Sequence, residues 1–182
     1  MPDVRFTRRF SMAHRLLVDA ASKCVVPHGH NEFVHVTLRS DQAPDFGQSN
    51  YVASFEAMKT RWHRFIDQAV DHAFQLNGAD PLLAWFLENE PERASRLMVF
   101  EGDPTSEALA IALRRKLDAV LIAEASPFRC VGLTLEETPT NAVIVGEILS
   151  PAERAWMAGS WMDRADLSIN DLAPPASEKS RP

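Results

Sequence analysis

The stretch VRFTRRFSMAH, residues 4–14, decides the fold, because its even positions read Val4, Phe6, Arg8, Phe10, Met12 and His14. That period of two, imperfect at Arg8, belongs to a strand with one buried face, since the apolar residues of a helix recur every three or four positions. Working outward, FVHVTL at 33–38 predicts a second strand, with a connection over residues 15–31 and the turn chemistry of SDQAPDFGQSN at 40–50 beyond it.

The period then changes. Phe55, Met58, Trp62, Phe65, Ile66 and Ala69 recur at helical spacing over 54–70, with Ser54 as N-cap. Asp103 and Pro104 open a second helix, whose stripe is Leu109, Leu113, Leu117, Val120 and Leu121. Arg114, Arg115 and Lys116 fall mainly off that stripe and read as a solvated face. After Pro127 come two alternating runs, FRCVGLTLEET and AVIVGEIL, separated by PTN. The order strand, strand, helix, helix, strand, strand predicts an α+β fold over residues 1–150, a four-stranded antiparallel sheet with both helices on one face. Residues 78–102, with LLAWFL and ENEPE, form an inserted connection, and 151–182 a C-terminal extension with a short helix and a disordered tail, PPASEKSRP.

At 182 residues the chain suits a single core-bearing domain. No apolar run approaches the roughly 20 residues of a membrane span, and MPDVRFTRRF lacks a signal peptide's apolar stretch, so no membrane role is expected and the cytoplasm is the default location. A net charge of −6 argues against a broad nucleic-acid surface. Residues 1–30 are locally basic, with Arg5, Arg8, Arg9, Arg15 and Lys23 against Asp3 and Asp19, a balance that a solvated strand face explains and an anion would also suit. Two cysteines, Cys24 and Cys130, make no disulfide framework.

Chemistry concentrates in CVVPHGHN, residues 24–31. If extended, His28 and His30 point to one side, as does His14 from the preceding strand, and three imidazoles converging from neighbouring strands can hold zinc with its fourth position open. Cys24 reads as a fourth ligand, a packed thiol or an acid/base, because a nearby cation lowers a thiol's pKa. Asp71 beside His72 is a carboxylate that can tune an imidazole, or an exposed helix end. Glu137 continues the inward face of Val131, Leu133 and Leu135, where a carboxylate needs a partner such as a ligand with two adjacent N–H donors; the alternative is a strand-end Glu turned to solvent.

Together FSMAH, CVVPHGHN, SFEAMK, DHAFQLN, PTSEALA and LEET, in this order from residue 10 to residue 138, resemble the 6-pyruvoyl-tetrahydropterin synthase and 6-carboxy-tetrahydropterin synthase family. The resemblance implies the tunnelling fold, whose two-helix, four-strand subunits associate into barrels, and hence a homo-oligomer through sheet edges. It implies that His14, His28 and His30 bind zinc, that Cys24 is the proton-abstracting thiol, and that Asp71 and His72 are the accompanying acid/base pair. Glu137 becomes the pterin anchor, with Thr105 and Ser106 lining its pocket.

The short spacing between Cys24 and His28 is similar to the carboxy-forming branch. That branch converts 7,8-dihydroneopterin triphosphate to 6-carboxy-5,6,7,8-tetrahydropterin, with release of acetaldehyde and triphosphate, on the way to queuosine and related deazapurines. The pyruvoyl-forming branch, another pterin as substrate, and a non-catalytic pterin- or metal-binding module are the alternatives. Arg15 and Lys23 are candidates for the triphosphate. Three departures bear on which substrate is taken, the first being the 78–102 connection, which is longer than usual and leads straight into Pro104-Thr105-Ser106-Glu107. Ser54-Phe55 replaces the usual Asp-Phe, and Glu32 stands where an aromatic residue commonly follows, reading as a solvated rim glutamate in preference to one that faces the site.

Overall fold

The structure is a computed structural model that describes residues 2–18 and 23–172. Its principal elements are β1 (Val4–His14), β2 (His28–Ser40), α1 (Phe55–Phe65), β3 (Ala73–Asn77), α2 (Pro81–Asn89), β4 (Leu97–Phe100), α3 (Ser106–Ala123), β5 (Phe128–Thr138), β6 (Asn141–Val145) and α4 (Pro151–Ala155). A π turn, Ile66–Val70, prolongs α1.

The fold is α+β, but the sheet has six strands where four were expected, in the order β4-β3-β1-β2-β5-β6. It is also mixed. The pairs β1–β2, β2–β5 and β5–β6 are antiparallel, while β1–β3 and β3–β4 are parallel. The extra strands left no period in the sequence for a physical reason. β3 and β4 are only five and four residues long, and Gln75, Leu76 and Asn77 are buried in succession. A strand covered on both faces does not alternate.

The helix-facing side of the sheet carries Phe6, Phe10, Met12, Val34, Val36, Leu38, Leu133 and Leu135 into one core with Trp62, Phe65 and Ile66 before β3 and with Leu109, Leu113 and Leu117 of α3. The 78–102 connection is structured: Leu83 of α2 and Leu97 of β4 form a separate small cluster with Leu76 of β3. Asp80 opens α2, its side chain accepting from the Leu82 amide, ahead of Pro81 in the first turn.

The solvated face expected at Arg114, Arg115 and Lys116 is corrected, since all three are buried. The described part of the C-terminal extension accounts for two of them. Trp161, Met162 and Ile169 enter the core, the Arg115 guanidinium binds Asp163, and Lys116 Nζ donates to the carbonyls of Trp161 at 3.0 Å and Ser168 at 2.9 Å and reaches Asp166 at 3.2 Å. Arg114 donates to the carbonyls of Cys130 and Glu147 and pairs with Asp118. A buried cation persists only with such partners, and they lie far along the chain, where a helical pattern does not reveal them. The tail PPASEKSRP lies outside the described residues. Among the described residues no helix is long and apolar enough to cross a membrane.

Candidate active site

Antiparallel pairing of β1 with β2 sets His14 opposite His28 and Met12 opposite His30. His28 and His30 share one face of β2, so this register gathers the three imidazoles at the end of the sheet where β1 leaves and β2 enters. Their ligand atoms all lie within 4.8 Å of one another.

Two backbone carbonyls orient the rings. His14 Nδ1 lies 2.8 Å from the Pro104 oxygen, and His28 Nδ1 lies 2.9 Å from the Val26 oxygen. A carbonyl only accepts, so each ring carries its proton on Nδ1 and turns a bare Nε2 inward. The two Nε2 atoms face each other at 3.1 Å. Lone pairs so placed repel unless a cation or a proton lies between them, and backbone acceptors behind metal-ligating imidazoles are the usual supporting arrangement. Burial is the main cause that lowers the His14 pKa, opposed by the Pro104 bond and reinforced by His28 and His30, which favours the neutral ligand form. The residues present therefore fit a metal ion.

Glu137, near the end of β5, accepts a 2.6 Å hydrogen bond from Ser106 Oγ in the first turn of α3, and its Oε1 lies 4.0 Å from His30 Nε2. Thr105 caps that helix, its hydroxyl accepting from the Ala108 amide. Beside them opens a cavity of about 350 Å³ lined by His14, Thr105, Ser106, Glu137, Asn141 and Val143 among others. A larger cavity of about 490 Å³, between residues such as Val4, Tyr51, Phe55 and Phe128, has no acid, histidine or thiol in its lining.

Glu32 is not at a solvated rim. It is fully buried, and neither carboxylate oxygen has a hydrogen-bond partner among the described residues. Burial, then repulsion from Glu137, pushes its carboxyl up to about 8. The reason is its place in β2, which runs on from Glu32 to Ser40, so the residue lies well inside the strand and opposite Phe10.

Cys24 is half-buried and free, and its carbonyl accepts from the Leu16 amide at 2.9 Å, two residues past His14. The loop thus returns the thiol's residue to the exit of β1. Asp71 and His72 do bond each other, Oδ2 to Nδ1 at 2.9 Å. They do so elsewhere. The His72 amide donates to the Ser11 carbonyl and the Ser11 amide to Asp71 Oδ1, which is three residues, or roughly 10 Å of strand, before His14. Neither lines the Glu137 cavity, and the His72 side chain is 77% exposed. Within one chain, then, the three histidines, Glu137, Thr105 and Ser106 come together, and the Asp71–His72 pair stands apart.

His72 has a left-handed backbone, φ 63°, which a non-glycine residue holds only when its surroundings require it. Arg96 supplies part of that requirement by donating to the carbonyls of Gln68 and Asp71. Lys23 is exposed, and Arg15, the other triphosphate candidate, is engaged by Asp80. The sequence reading passed over Arg96 and Asp80; only the Asp80-Pro81 helix start carried a signal for either.

Comparison with known proteins gives a consistent result. The 6-pyruvoyl tetrahydropterin synthase family matches residues 3–147. A protein of Halobacterium salinarum named as a probable 6-carboxy-5,6,7,8-tetrahydropterin synthase is 33% identical over 131 residues, which cover 72% of this chain and 77% of that relative. An uncharacterized protein from Wolinella succinogenes shares the fold with a TM-score of 0.64 at 22% identity, over 81% of this chain and 98% of that one. The 6-pyruvoyl tetrahydropterin synthase of Caenorhabditis elegans superposes with a TM-score of 0.52 at 26% identity, over 80% and 96% of the two chains.

Proposed function

The chain belongs to the 6-pyruvoyl tetrahydropterin synthase family, and we propose that within it the protein is a zinc-dependent lyase converting 7,8-dihydroneopterin triphosphate to 6-carboxy-5,6,7,8-tetrahydropterin, with release of acetaldehyde and triphosphate. The observation that carries this reading is the convergence of two bare Nε2 atoms, from His14 and His28, beside His30 and the Ser106-held carboxylate of Glu137. The name of the archaeal relative supports the carboxy-forming branch, whose product would feed the synthesis of queuosine and related deazapurines.

His14, His28 and His30 would hold the zinc. When bound, zinc supplies Lewis acidity toward the oxygens of the substrate side chain and so acidifies the neighbouring C–H bonds. The other roles fall to the protein's own groups. Glu137 accepts from the two adjacent N–H donors of the pterin ring, and Ser106 fixes which way its carboxylate faces. Cys24, delivered by the loop that rejoins β1 at Leu16, takes and returns protons at the side chain. Asp71 orients His72 through their hydrogen bond, as a carboxylate does in other acid/base pairs.

Because His72 is exposed and neither member of the pair lines its own chain's cavity, we place the pair at a site completed by a second copy. Copies would join through sheet edges, and β6 is the edge that serves as a template for pairing. The outer side of β4 is taken by the C-terminal extension, with the Val99 amide donating to the Ile169 carbonyl and the Val99 carbonyl accepting from Trp161 Nε1.

One observation favours a second reading, the pyruvoyl-forming reaction or another pterin as substrate: Glu32 puts a buried acid against Glu137 where relatives commonly have an aromatic ring. Mass identification of the product from zinc-loaded protein and 7,8-dihydroneopterin triphosphate decides between them. A 6-carboxy product supports the first reading, a 6-pyruvoyl product the second, and no turnover overturns both for this substrate.

A further inference from the structure

Arg15 stands between the zinc-ligand candidate His14 and the loop that carries Cys24. Its guanidinium grips Asp80 with two hydrogen bonds, Nε to Oδ2 at 2.7 Å and Nη2 to Oδ1. The Asp80 side chain is 0% exposed and that of Arg15 19% exposed. Around this pair the chain is pinned residue by residue. The Leu16 amide donates to the Cys24 carbonyl, and the amides of Leu17 and Val18 both donate to Asp103 Oδ2 at 2.7 Å. Asp103 is held in turn by Asn77 Nδ2 at 2.8 Å. Two carboxylates flanking the interior of the 78–102 connection, Asp80 just inside its start and Asp103 just past its end, therefore fasten the base of the loop.

A loop needed only to join β1 to β2 would not require this arrangement, because a buried ion pair is often no more stabilising than an apolar substitute. What the pair does supply is a fixed geometry, since a bidentate fork sets distance and direction together. We propose that Arg15 and Asp80 are positioning residues for Cys24, with the inserted connection serving as the brace against which the thiol's loop is set. This rests on the reading of Cys24 as the proton-transferring thiol. It also accounts for Arg15 without an anion.

Asp80→Asn and Arg15→Gln test it in the full-length, zinc-loaded protein. Asparagine remains a good helix cap, so the first variant weakens the pair without undoing the start of α2. The readouts are the rate of iodoacetamide alkylation as a function of pH and the separate values of kcat and KM. Cys130 does not interfere, because it is buried and burial pushes its thiol up to about 11. Each variant should bind zinc as wild type does. Each should change the Cys24 alkylation rate or move its pH midpoint by the same amount, and lower kcat roughly tenfold or more with little change in KM. The double variant should be no worse than either single one, as for residues acting through one contact.

Folded variants whose Cys24 alkylation profile and kcat both match wild type would overturn the proposal, as would single effects that simply add. If a variant fails to fold, Arg15→Lys keeps a charge beside Asp80 but gives up the fork; it should show the same changes in smaller degree, and a wild-type profile overturns the proposal. Should wild-type protein fail to turn over the pterin substrate, the functional reading falls, while the alkylation comparison still decides whether the pair sets the thiol.

Discussion

A Cβ on Gly29 would stand 2.6 Å from the carbonyl oxygen of Met12, closer than carbon and oxygen tolerate when both are fixed in paired strands. The residue between the two histidines of β2 is thus glycine because β1 passes directly against it, opposite Ala13. Gly29→Ala must push β2 away from β1 at the point where His14 faces His28. The expected outcome is a folded protein with zinc affinity lowered at least roughly tenfold, in line with other displacements of metal-ligand support. Metal titration against a competing chelator checks it, and unchanged affinity would refute the proposed metal centre.

Ser106 and Thr105 are adjacent, yet they do different work. Ser106 donates to Glu137, whereas the Thr105 hydroxyl is spent on the Ala108 amide. Ser106→Ala should weaken the binding of neopterin about tenfold, as expected for a lost hydrogen bond to a charged group, with little loss of stability. Thr105→Ala should lower stability by about 1 kcal/mol through the lost cap and alter neopterin binding less. Fluorescence titration and urea unfolding of both variants separate the roles, and an inverted pattern would reassign them.

What the sequence made legible follows from distance along the chain. The alternation of β1 and the helical stripe before β3 are local, and the structure reproduces both, with Ser54 capping α1. The three histidines were legible because strand parity puts His28 and His30 on one face of β2 and His14 ends the neighbouring strand, while the register that sets His14 opposite His28 came with the structure. Hidden were features set by partners remote in sequence. Burial of Lys116 depends on Trp161, Asp166 and Ser168, and Glu32 looked like a rim residue because the strand reading began at Phe33, while the strand itself begins at His28.

Lys116 gives a pH dependence with a definite sign. Burial lowers its pKa to about 8, with Asp166 opposing the shift. The unfolded chain, where a lysine titrates near about 10.4, binds the proton more tightly than the folded one. Stability should therefore rise as pH increases from about 8 toward 10 and sit on its lower plateau below that, an effect on the order of 1 to 3 kcal/mol. Cys130, raised to about 11 from 9.0, works the opposite way above pH 9, and Glu32, raised to about 8, does so up to and through that value. The Lys116 effect is therefore read between pH 8 and 9 as the difference between wild type and Lys116→Met. Across that window the wild-type urea midpoint should climb relative to that of Lys116→Met; a wild-type midpoint that falls relative to the variant would contradict a buried ammonium held below its usual pKa.

Glu32 combines full burial with two unpartnered oxygens, the kind of group that costs several kcal/mol to keep. Its pKa is raised from 4.5 to about 8, so the folded state holds the proton more tightly than the unfolded state. The sign follows: its contribution to stability is complete below pH 4.5 and is lost as pH rises through 8. Glu32→Leu should remove that loss, so that metal-free protein at pH 8 or above unfolds at a higher urea concentration than wild type, by about 1 to 3 kcal/mol, with the gap closing on acidification. Turnover should move in the opposite direction, because an acid kept at such cost against Glu137 is retained for the ligand rather than for the fold. Urea midpoints that drop in the variant, or that differ from wild type equally at all pH values, would show instead that the carboxyl is satisfied and structural.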